Sequence, residues 1–543
     1  MSKADIILSN AQAYTADDTN PSAATVAVKG NKIIFVGPED ASRDLRSANT
    51  TLIDCQQKTL MPGIIDSHFH LFTGSRVTNG VDVRGIKDLA NLTRVIQDYA
   101  DQAHGDPWLM AYAASYSLPS SAEALTRQHL DVIIPYKPLV LFAHDMHALW
   151  LNTACLKETG LLHGSDNPAL QGDMKFADDG SATGEIVESG LFIFATEYLP
   201  SDEAYILKGL KRALKTLASY GITSVHNMLG NHEQARIFRK LELANELTTK
   251  VYLPYHVEPS TPFENLATEA LHLRSTYDSE MLRGGAVKFF ADGVYDGKTA
   301  LSLNGYPDDP HYFGESIFEP EHYKRLVTEA DRLGFQVATH AVGNGAVRLA
   351  LDAYEQAQRT NGKRDSRHRV EHIEVCHPDD IPRFKELGVI ASMQPLHAPS
   401  SAADADLWLK YVHEDEWQHA FPIRKLRDAG AHVALGSDWN VVTMNPFISW
   451  HAAMNRQPWG NEGDVHFKQS LEEVLAGYTK DAAYTEFKES KKGQLKVGML
   501  ADIVLLSEDI FRTHVSELKN LTTELTMVDG KILYQQDYRP KLD

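Results

Sequence analysis

The chain contains 543 residues, of which 43% are hydrophobic and 23% are charged, a composition that is typical of folded globular proteins and excludes a disordered or fibrous one. At roughly 150 residues per domain, a chain of this length is expected to form about three to four domains, or one large barrel with attachments. Acidic residues outnumber basic ones by 73 to 53, and the formal net charge of −20 argues against nucleic acid or an anionic membrane as partner.

Histidine and cysteine are used very unequally, with 24 His but only 3 Cys. The thiols Cys55, Cys155 and Cys376 are scattered, so they predict neither a disulfide framework nor a CxxC metal motif. The first ten residues lack the basic and apolar regions of a signal peptide, and no apolar run approaches the ~18 residues that cross a membrane. We therefore expect a cytoplasmic protein without membrane association, and the sequence leaves a homo-oligomer open.

Both ends of the chain predict short strands that are separated by tight turns. The first strands are ADIILSNAQAY, ATVAVKG and KIIFVG, with a turn at Gly30-Asn31. The last are ADIVLL, LTTELTMV and KILY, with a hairpin turn at Asp529-Gly530. Because the two ends resemble each other and differ from the middle, we expect residues 1–60 and 491–543 to form one small β-sandwich.

From Pro62 onward, short apolar runs alternate with helical stretches such as 207–220 and 321–334, which is the pattern of βα units around a parallel sheet. Eight runs are the number that closes a (β/α)₈ TIM barrel, and we expect the barrel to occupy residues 61–490. The runs are GIIDSHFH (63–70), GITSVHN (221–227), KVYLPYH (250–256), GAVKFFAD (285–292), FQVATHA (335–341), HRVEHIEV (368–375), VIASMQP (389–395) and HVALGSD (432–438).

The interval between the first two runs is far too long for one helix. It predicts an inserted subdomain at about residues 74–205, with a strand of its own in PLVLFAHD (138–145) and a loop rich in Gly and Asp at 163–173. The insertion therefore follows the first barrel strand.

Polar residues stand at the ends of several runs, where the active site of a TIM barrel forms. In the first run, two histidines project to the same side because the side chains of a strand alternate, so they can chelate one cation. Taken singly, each of these residues is more often a core or surface side chain. The combination of four His, one Lys and one Asp predicts a metal site, with the candidates His68, His70, Lys288, His340, His372 and Asp438.

These residues resemble the amidohydrolase superfamily of metal-dependent hydrolases, with HxH on strand one, Lys on four, His on five and six, and Asp on eight. More narrowly, the chain is similar to amidohydrolase family 3, the YtcJ-like group that includes N-substituted formamide deformylase. The resemblance covers the whole chain and rests on LMPGIIDSHFH, HDMHALWLNTACL, GITSVHN, VKFFADGVYDGKTALSLNGY, THAVGNGAV, RVEHIEV, LGSDWNV and GQLKVGMLADIVLL.

The resemblance implies the arrangement of the metal centre. His68, His70 and Asp438 would hold the more buried metal, and His340 with His372 the second. Imidazole and carboxylate suit Zn²⁺, although other divalent metals stay open. Lys288, carboxylated by CO₂, would bridge two metals; the alternative is a salt bridge, for instance to Asp292, with a single metal.

The implied reaction is hydrolysis of a non-peptide amide or N-substituted formamide bond in a small molecule. Metal-bound hydroxide would attack the carbonyl carbon, and Asp438 would carry the proton of the nucleophile to the leaving nitrogen. Two alternatives stay open. One is deamination or ring opening of a cyclic amidine or imide, and the other is a non-catalytic regulatory or binding protein, which would be expected to have lost a ligand.

Several further residues are candidate substrate contacts. His226 and His256 end the second and third runs and would either face the mouth of the barrel or hydrogen-bond a loop. A Trp beside the catalytic aspartate is either a pocket wall or core, and the insertion and the loop after the fourth run contribute the others. The candidates are His147, His226, Tyr295, Lys298 and Trp439.

Overall fold

The computed structural model describes residues 2–116, 118–120, 123–143, 148–399, 406–456 and 468–536. The chain forms two compact units. The first comprises residues 1–69, 214–438 and 444–543, and the second comprises residues 70–213 and 439–443. Among the described residues, no helix is long and apolar enough to cross a membrane.

The first unit contains a (β/α)₈ barrel, which confirms the predicted fold class. In the described part of the chain, the eight strands follow one another as parallel neighbours in chain order, in one sheet up to the first piece of the third strand and in a second sheet from its other piece onward. The amide of Asp438 donates to the carbonyl of His68 at 2.7 Å, which joins the end of the eighth strand to the first. The strands are β1 (Ile64–Phe69), β2 (Ile222–Asn227), β3 (Lys250–Tyr252 and Tyr255–His256), β4 (Ala286–Phe290), β5 (Gln336–Ala341), β6 (Arg369–His372), β7 (Ile390–Met393) and β8 (His432–Leu435).

Strand β3 is interrupted, whereas its sequence predicts one continuous run. Pro254 lies in the gap and has no amide hydrogen to donate to a ladder. The piece before it pairs with β2 and with the short strand Leu282–Arg283, and the piece after it pairs with β4.

Helices follow the strands, and the two helical stretches predicted from sequence are present as Glu203–Ser219 and Pro320–Arg332. The second begins with a proline, and the Glu319 side chain caps it by accepting from the amide of His322 at 2.7 Å. The other helices after β2 are His232–Leu243, Glu269–Thr276, Asn344–Asn361, Ile381–Leu387, Asp406–Tyr411, Ile423–Asp428, Pro446–Asn455, Leu471–Gly477 and Lys480–Thr485, with 3₁₀ helices Phe263–Leu266, Pro378–Asp380, Glu414–His419 and Val515–Asn520.

The two ends of the chain pair into a β-sandwich, as predicted. Thr59–Pro62 lies antiparallel to Ile503–Leu506, so a strand from before the barrel is bonded to one from after it. Apolar side chains from both ends, including Leu60 and Met527, form one buried cluster. The other strands are Ile6–Ser9, Gln12–Tyr14, Ser22–Ala23, Thr25–Lys29, Lys32–Gly37, Thr51–Asp54, Thr523–Val528 and Lys531–Gln535, and a 3₁₀ helix spans Asp40–Leu45.

The second unit is built on a mixed sheet that lies between β1 and β2 in sequence. Alternate residues of its central strand Leu139–Ala143 enter two different apolar clusters, because successive side chains face opposite sides of the sheet. Its other strands are Val81–Asp82, Leu109–Ala114, Ala148–Leu151, Met174–Phe176 and Ala182–Val187, with a separate hairpin of Pro119–Ser120 and Glu123–Ala124. Its helices are Leu71–Val77, Leu89–Ala100, Arg127–Ile133, Thr153–Glu158, Pro168–Asp173 and Glu188–Glu197, with a 3₁₀ helix at Leu161–His163.

Candidate metal centre

Three of the predicted ligands meet at the carboxyl ends of the barrel strands. His68 lies in β1, His372 ends β6 and Asp438 follows β8, and one ligand atom from each lies within 4.8 Å of the others. His68 Nε2 is 3.5 Å from Asp438 Oδ1, and His372 Nδ1 is 3.9 Å from Asp438 Oδ2. The His340 ring lies beside this group, with its centroid 4.4 Å from that of His372.

Burial keeps these imidazoles neutral. It lowers the pKa of His68 to about 4 and that of His340 to about 3, and it holds the pKa of His372 well below its usual range. His340 Nε2 donates to the carbonyl of Gly293 at 3.1 Å, so its lone pair is on Nδ1. Neutral imidazole is the form that binds a metal, so these side chains already have the protonation state that metal binding requires.

Lys288 is fully buried in β4. Desolvation lowers the pKa of its amine to about 8, although the charges of Glu371 and Asp438 oppose this shift. Within the described part of the chain, Nζ has no hydrogen-bond partner, and it lies 4.3 Å from the centroid of the Phe290 ring. The amine is thus more easily deprotonated than an ordinary lysine.

The salt bridge from Lys288 to Asp292 is not formed. The Asp292 carboxylate instead accepts from the backbone amides of Leu301, Val342 and Gly343, at 2.9 to 3.0 Å. Burial raises the pKa of Asp292 to about 7. Its role in this structure is to hold the loops that follow β4 and β5.

The backbone is strained where the cluster forms. His372, Ile373 and Asp438 have φ angles of +74°, +54° and +62°, the left-handed region that residues with a side chain seldom adopt. Such conformations cost of order 1–3 kcal/mol each and gather at functional sites. The strain therefore marks the ends of β6 and β8 independently of residue chemistry.

The turn after β8 packs closely against β1. Asp66 accepts from the amide of Ser437 at 2.9 Å and from that of His68 at 3.2 Å. A Cβ on Gly436 would lie 2.5 Å from the backbone nitrogen of His68, so only glycine fits there. Asp66 and Gly436 together set the distance between His68 and Asp438.

Two side chains that were not predicted, the buried Glu371 and the partly buried His397, also belong to the site. Glu371 Oε2 lies 2.7 Å from His68 Nδ1. His397, beyond β7, stacks on His372 with 5.5 Å between ring centroids and places Nε2 3.4 Å from Asp438 Oδ2. Burial opposes protonation of His397, but the hydrogen bond and charge of Asp438 raise its pKa.

The family is established by sequence comparison. A model of the amidohydrolase family matches residues 51–534. The chain belongs to this family. It is therefore a hydrolase that acts on carbon–nitrogen bonds.

Similar proteins cover nearly the whole of this amidohydrolase. It is 28% identical to the protein LONG AFTER FAR-RED 3 of Arabidopsis thaliana, over 98% of this chain and 92% of that one. It is 26% identical to the N-substituted formamide deformylase of Arthrobacter pascens, over 98% of both. A crystal structure of an uncharacterized metal-dependent hydrolase from Pyrococcus horikoshii OT3 matches with a TM-score of 0.74 and 24% identity, covering 94% of this chain and 99% of that one, and shows the same fold.

Two predicted substrate contacts lie in the loop after β4 of this amidohydrolase. Lys298 pairs with Asp308 at 2.9 Å, and the rings of Tyr306, Tyr312 and Tyr411 surround its Nζ at 5.3 to 5.8 Å. Tyr295 is 1% exposed, and its hydroxyl has no hydrogen-bond partner among the described residues. Of these two side chains, Tyr295 is the one with a buried polar group to which a ligand could hydrogen-bond.

His226 and His256 occupy different environments. His226 is fully buried, with Nδ1 2.9 Å from Arg369 Nη1 and Nε2 3.4 Å from Glu486 Oε1. The half-buried ring of His256 packs edge-on against Phe290. The arrangement around His226 is that of an internal polar network.

Of the remaining predicted residues, His70 and Trp439 belong to the second unit. There the amide of His70 donates to the carbonyl of Trp439 at 2.7 Å, and His70 precedes the helix Leu71–Val77. The Trp439 indole packs on Gly74, where a Cβ would meet it at 2.5 Å. His147 lies outside the described residues.

Proposed function

We propose that this amidohydrolase is a metal-dependent enzyme that cleaves an amide or N-substituted formamide bond of a small molecule. The observation that carries the proposal is the convergence of His68, His372 and Asp438 on one point. The similarity to a formamide deformylase over 98% of both chains favours an acyclic substrate. The Pyrococcus horikoshii protein is described as metal-dependent, which agrees with the donor set.

The donor atoms fit a divalent cation. His68 is neutral and its Nδ1 faces the Glu371 carboxylate, so the proton is on Nδ1 and the Nε2 lone pair faces Asp438 Oδ1 at 3.5 Å. A lone pair and a carboxylate oxygen repel each other unless a cation lies between them. His372 Nδ1, buried and without a hydrogen-bond partner among the described residues, adds a third donor.

Nitrogen and oxygen donors of this kind suit Zn²⁺. The proposed set is His68, His70 and Asp438 for one metal and His340 with His372 for a second. The pKa of Lys288, lowered to about 8, gives this amine a larger neutral fraction than an ordinary lysine has. The neutral amine is the form that adds CO₂, and the resulting carbamate would hold both metals.

When bound, Zn²⁺ would lower the pKa of a water molecule from 15.7 to about 7 and polarise the substrate carbonyl. Asp438 would accept the proton of the attacking water and return it to the leaving nitrogen. His397 Nε2, 3.4 Å from Asp438 Oδ2, keeps this carboxylate oriented. The Tyr295 hydroxyl is the proposed substrate contact with a structural basis, whereas His147, His226, Lys298 and Trp439 stay predictions, as do a cytoplasmic location and an oligomer.

Metal analysis of the purified protein, followed by chelation and a substrate screen, tests the proposal. We expect one to two zinc ions per chain, loss of hydrolysis after chelation and recovery when Zn²⁺ is returned. The screen should include formamides, acylated amines and cyclic imides, since turnover of the imides alone would favour the ring-opening alternative. A metal-free preparation with undiminished activity would contradict the proposal.

A further inference from the structure

A buried ion pair of Arg369 and Glu371 contacts the Nδ1 side of the His68 ring. The Glu371 carboxylate accepts from Arg369 twice, from Nε at Oε1 and from Nη2 at Oε2, the latter at 3.0 Å. The same Oε2 contacts His68 Nδ1 at 2.7 Å. All three side chains are at most 1% exposed, so water cannot replace any of these contacts.

Arg369 is itself anchored from several strands. Its Nη2 donates to the carbonyl of Ser67 at 2.6 Å and to Ser392 Oγ at 2.8 Å, and its Nη1 lies 2.9 Å from His226 Nδ1. These partners come from β1, β7 and β2. The planar guanidinium is therefore held in one orientation, and it presents a fixed fork to Glu371.

The pair determines which nitrogen of His68 carries its proton. A guanidinium has only donors, and Arg369 donates to both oxygens of Glu371, so this carboxyl group is held as an acceptor at both oxygens. A carboxylate only accepts hydrogen bonds, so the contact of 2.7 Å with Glu371 Oε2 requires His68 to donate from Nδ1. A fixed tautomer presents the Nε2 lone pair, and such a partner typically raises the basicity of a histidine ligand.

We infer that Arg369 and Glu371 are positioning residues, which hold His68 as the Nδ1–H tautomer so that Nε2 is ready to bind the metal. This inference rests on the proposed metal-dependent function. Neither side chain is a proposed metal ligand, and both act through His68. The expected effect is therefore on metal affinity rather than on substrate binding.

The chain offers a matched pair for comparison in the same unit. His368 Nε2 lies 3.1 Å from Asp331 Oδ1, and that carboxylate accepts from Arg364 Nε at 2.7 Å. His368 Nδ1 accepts from the amide of Val337 at 3.0 Å, so this histidine is bonded at both nitrogens. It repeats the His–carboxylate–Arg arrangement with no lone pair left for a metal.

The experiment compares E371Q with D331N in the full-length protein. Zn²⁺ affinity is measured by competition with a chromophoric chelator, and stability by thermal unfolding of the metal-free form. We expect E371Q to bind Zn²⁺ about 10- to 100-fold more weakly, the usual effect of removing such a partner. R369K keeps the charge but loses the fork and should weaken binding less, whereas D331N should lower stability without changing affinity.

The outcomes separate the two proposals. Zinc binding by the wild type with equal affinity in E371Q would overturn this inference and leave the proposed function standing. A wild type that binds no metal would overturn both. If E371Q does not fold, ¹⁵N–¹H spectra of the histidine rings in the metal-free wild type decide, since an Nε2–H tautomer at His68 would overturn the inference and an Nδ1–H tautomer would support it.

Discussion

Two buried lysines in the strands of the barrel, Lys250 and Lys288, have opposite pKa shifts. Lys250 begins β3 and is 3% exposed, and its Nζ contacts Asp502 at 2.7 Å and Asp529 at 3.1 Å. Burial opposes its charge, but these carboxylates raise its pKa. Lys288 has no such contact, and burial lowers its pKa to about 8. Similar burial is thus accompanied by opposite pKa shifts, because Lys250 contacts two carboxylates and Lys288 does not.

The same contrast extends to the surroundings of each lysine. At the amino ends of the strands, Lys492 pairs with Glu486 at 2.5 Å, so charges are neutralised inside the protein. At the carboxyl ends, neutral His68 and His372 converge on Asp438. The first arrangement is a network of buried ion pairs, and the second is the proposed metal site. This division is typical of TIM barrels.

The largest expected effect is the loss of turnover in Asp438→Asn. The amide cannot accept a proton, so kcat should fall by about 10²- to 10⁴-fold. Steady-state kinetics and a circular dichroism spectrum check this result. Asp502→Asn at the other end of the barrel is the control, and it should lower stability but keep kcat. A near-normal rate in Asp438→Asn would remove this residue from the proton transfer.

The two lysines should respond differently to substitution by methionine. Lys250→Met leaves Asp502 and Asp529 buried without their cation, and loss of one partner of a buried pair costs about 3–5 kcal/mol of unfolding free energy. Lys288→Met should retain stability but lose the second metal. Denaturant unfolding and metal analysis of both variants provide the comparison. Identical behaviour of the two variants would show that the distinction is wrong.

Gly436→Ala should disturb the metal centre through sterics alone. The added Cβ would lie 2.5 Å from the backbone nitrogen of His68, and such overpacking costs about 1–3 kcal/mol of stability. We expect lower thermal stability together with weaker Zn²⁺ binding. Gly105→Ala, where no atom lies within 4 Å of the added Cβ, is the matched control and should change neither. Unchanged Zn²⁺ affinity in Gly436→Ala would argue against this role of the turn.

The smallest expected effect is the pH dependence of lysine carboxylation. A protonated amine cannot add CO₂, so the carbamate at Lys288 should decrease as the pH falls below the pKa of this amine, which is about 8. For each pH unit, the ratio of neutral to protonated amine falls about tenfold. Lys250, whose pKa is raised, should stay unmodified throughout. Native mass spectrometry from pH 6 to 9 with added bicarbonate detects the modification. Carboxylation that does not change with pH would contradict this assignment.

The barrel and the residues of the candidate metal centre could be predicted from sequence for a physical reason. Strand-like runs, helical periodicity and polar residues at the run ends are local properties, so the ends of β1, β6 and β8 could be recognised without coordinates. Glu371 was not predicted as a site residue because it adjoins His372, and the side chains of neighbouring residues on a regular strand point to opposite faces. The positive φ of His372 breaks that alternation. His397 was not predicted because it lies in a loop beyond β7, where the alternation of strand side chains does not apply.

The sequence by itself determined the family, the eight strands and the pairing of the two termini, since each depends on short-range patterns that recur in order along the chain. Tertiary structure alone decided which charges meet. It gives Lys250 and Lys288 opposite pKa shifts, surrounds Lys298 with tyrosines and brings Arg369 into hydrogen-bond contact with Glu371. Side-chain ionisation depends on distances between residues that are remote in sequence, and only the folded barrel sets those distances.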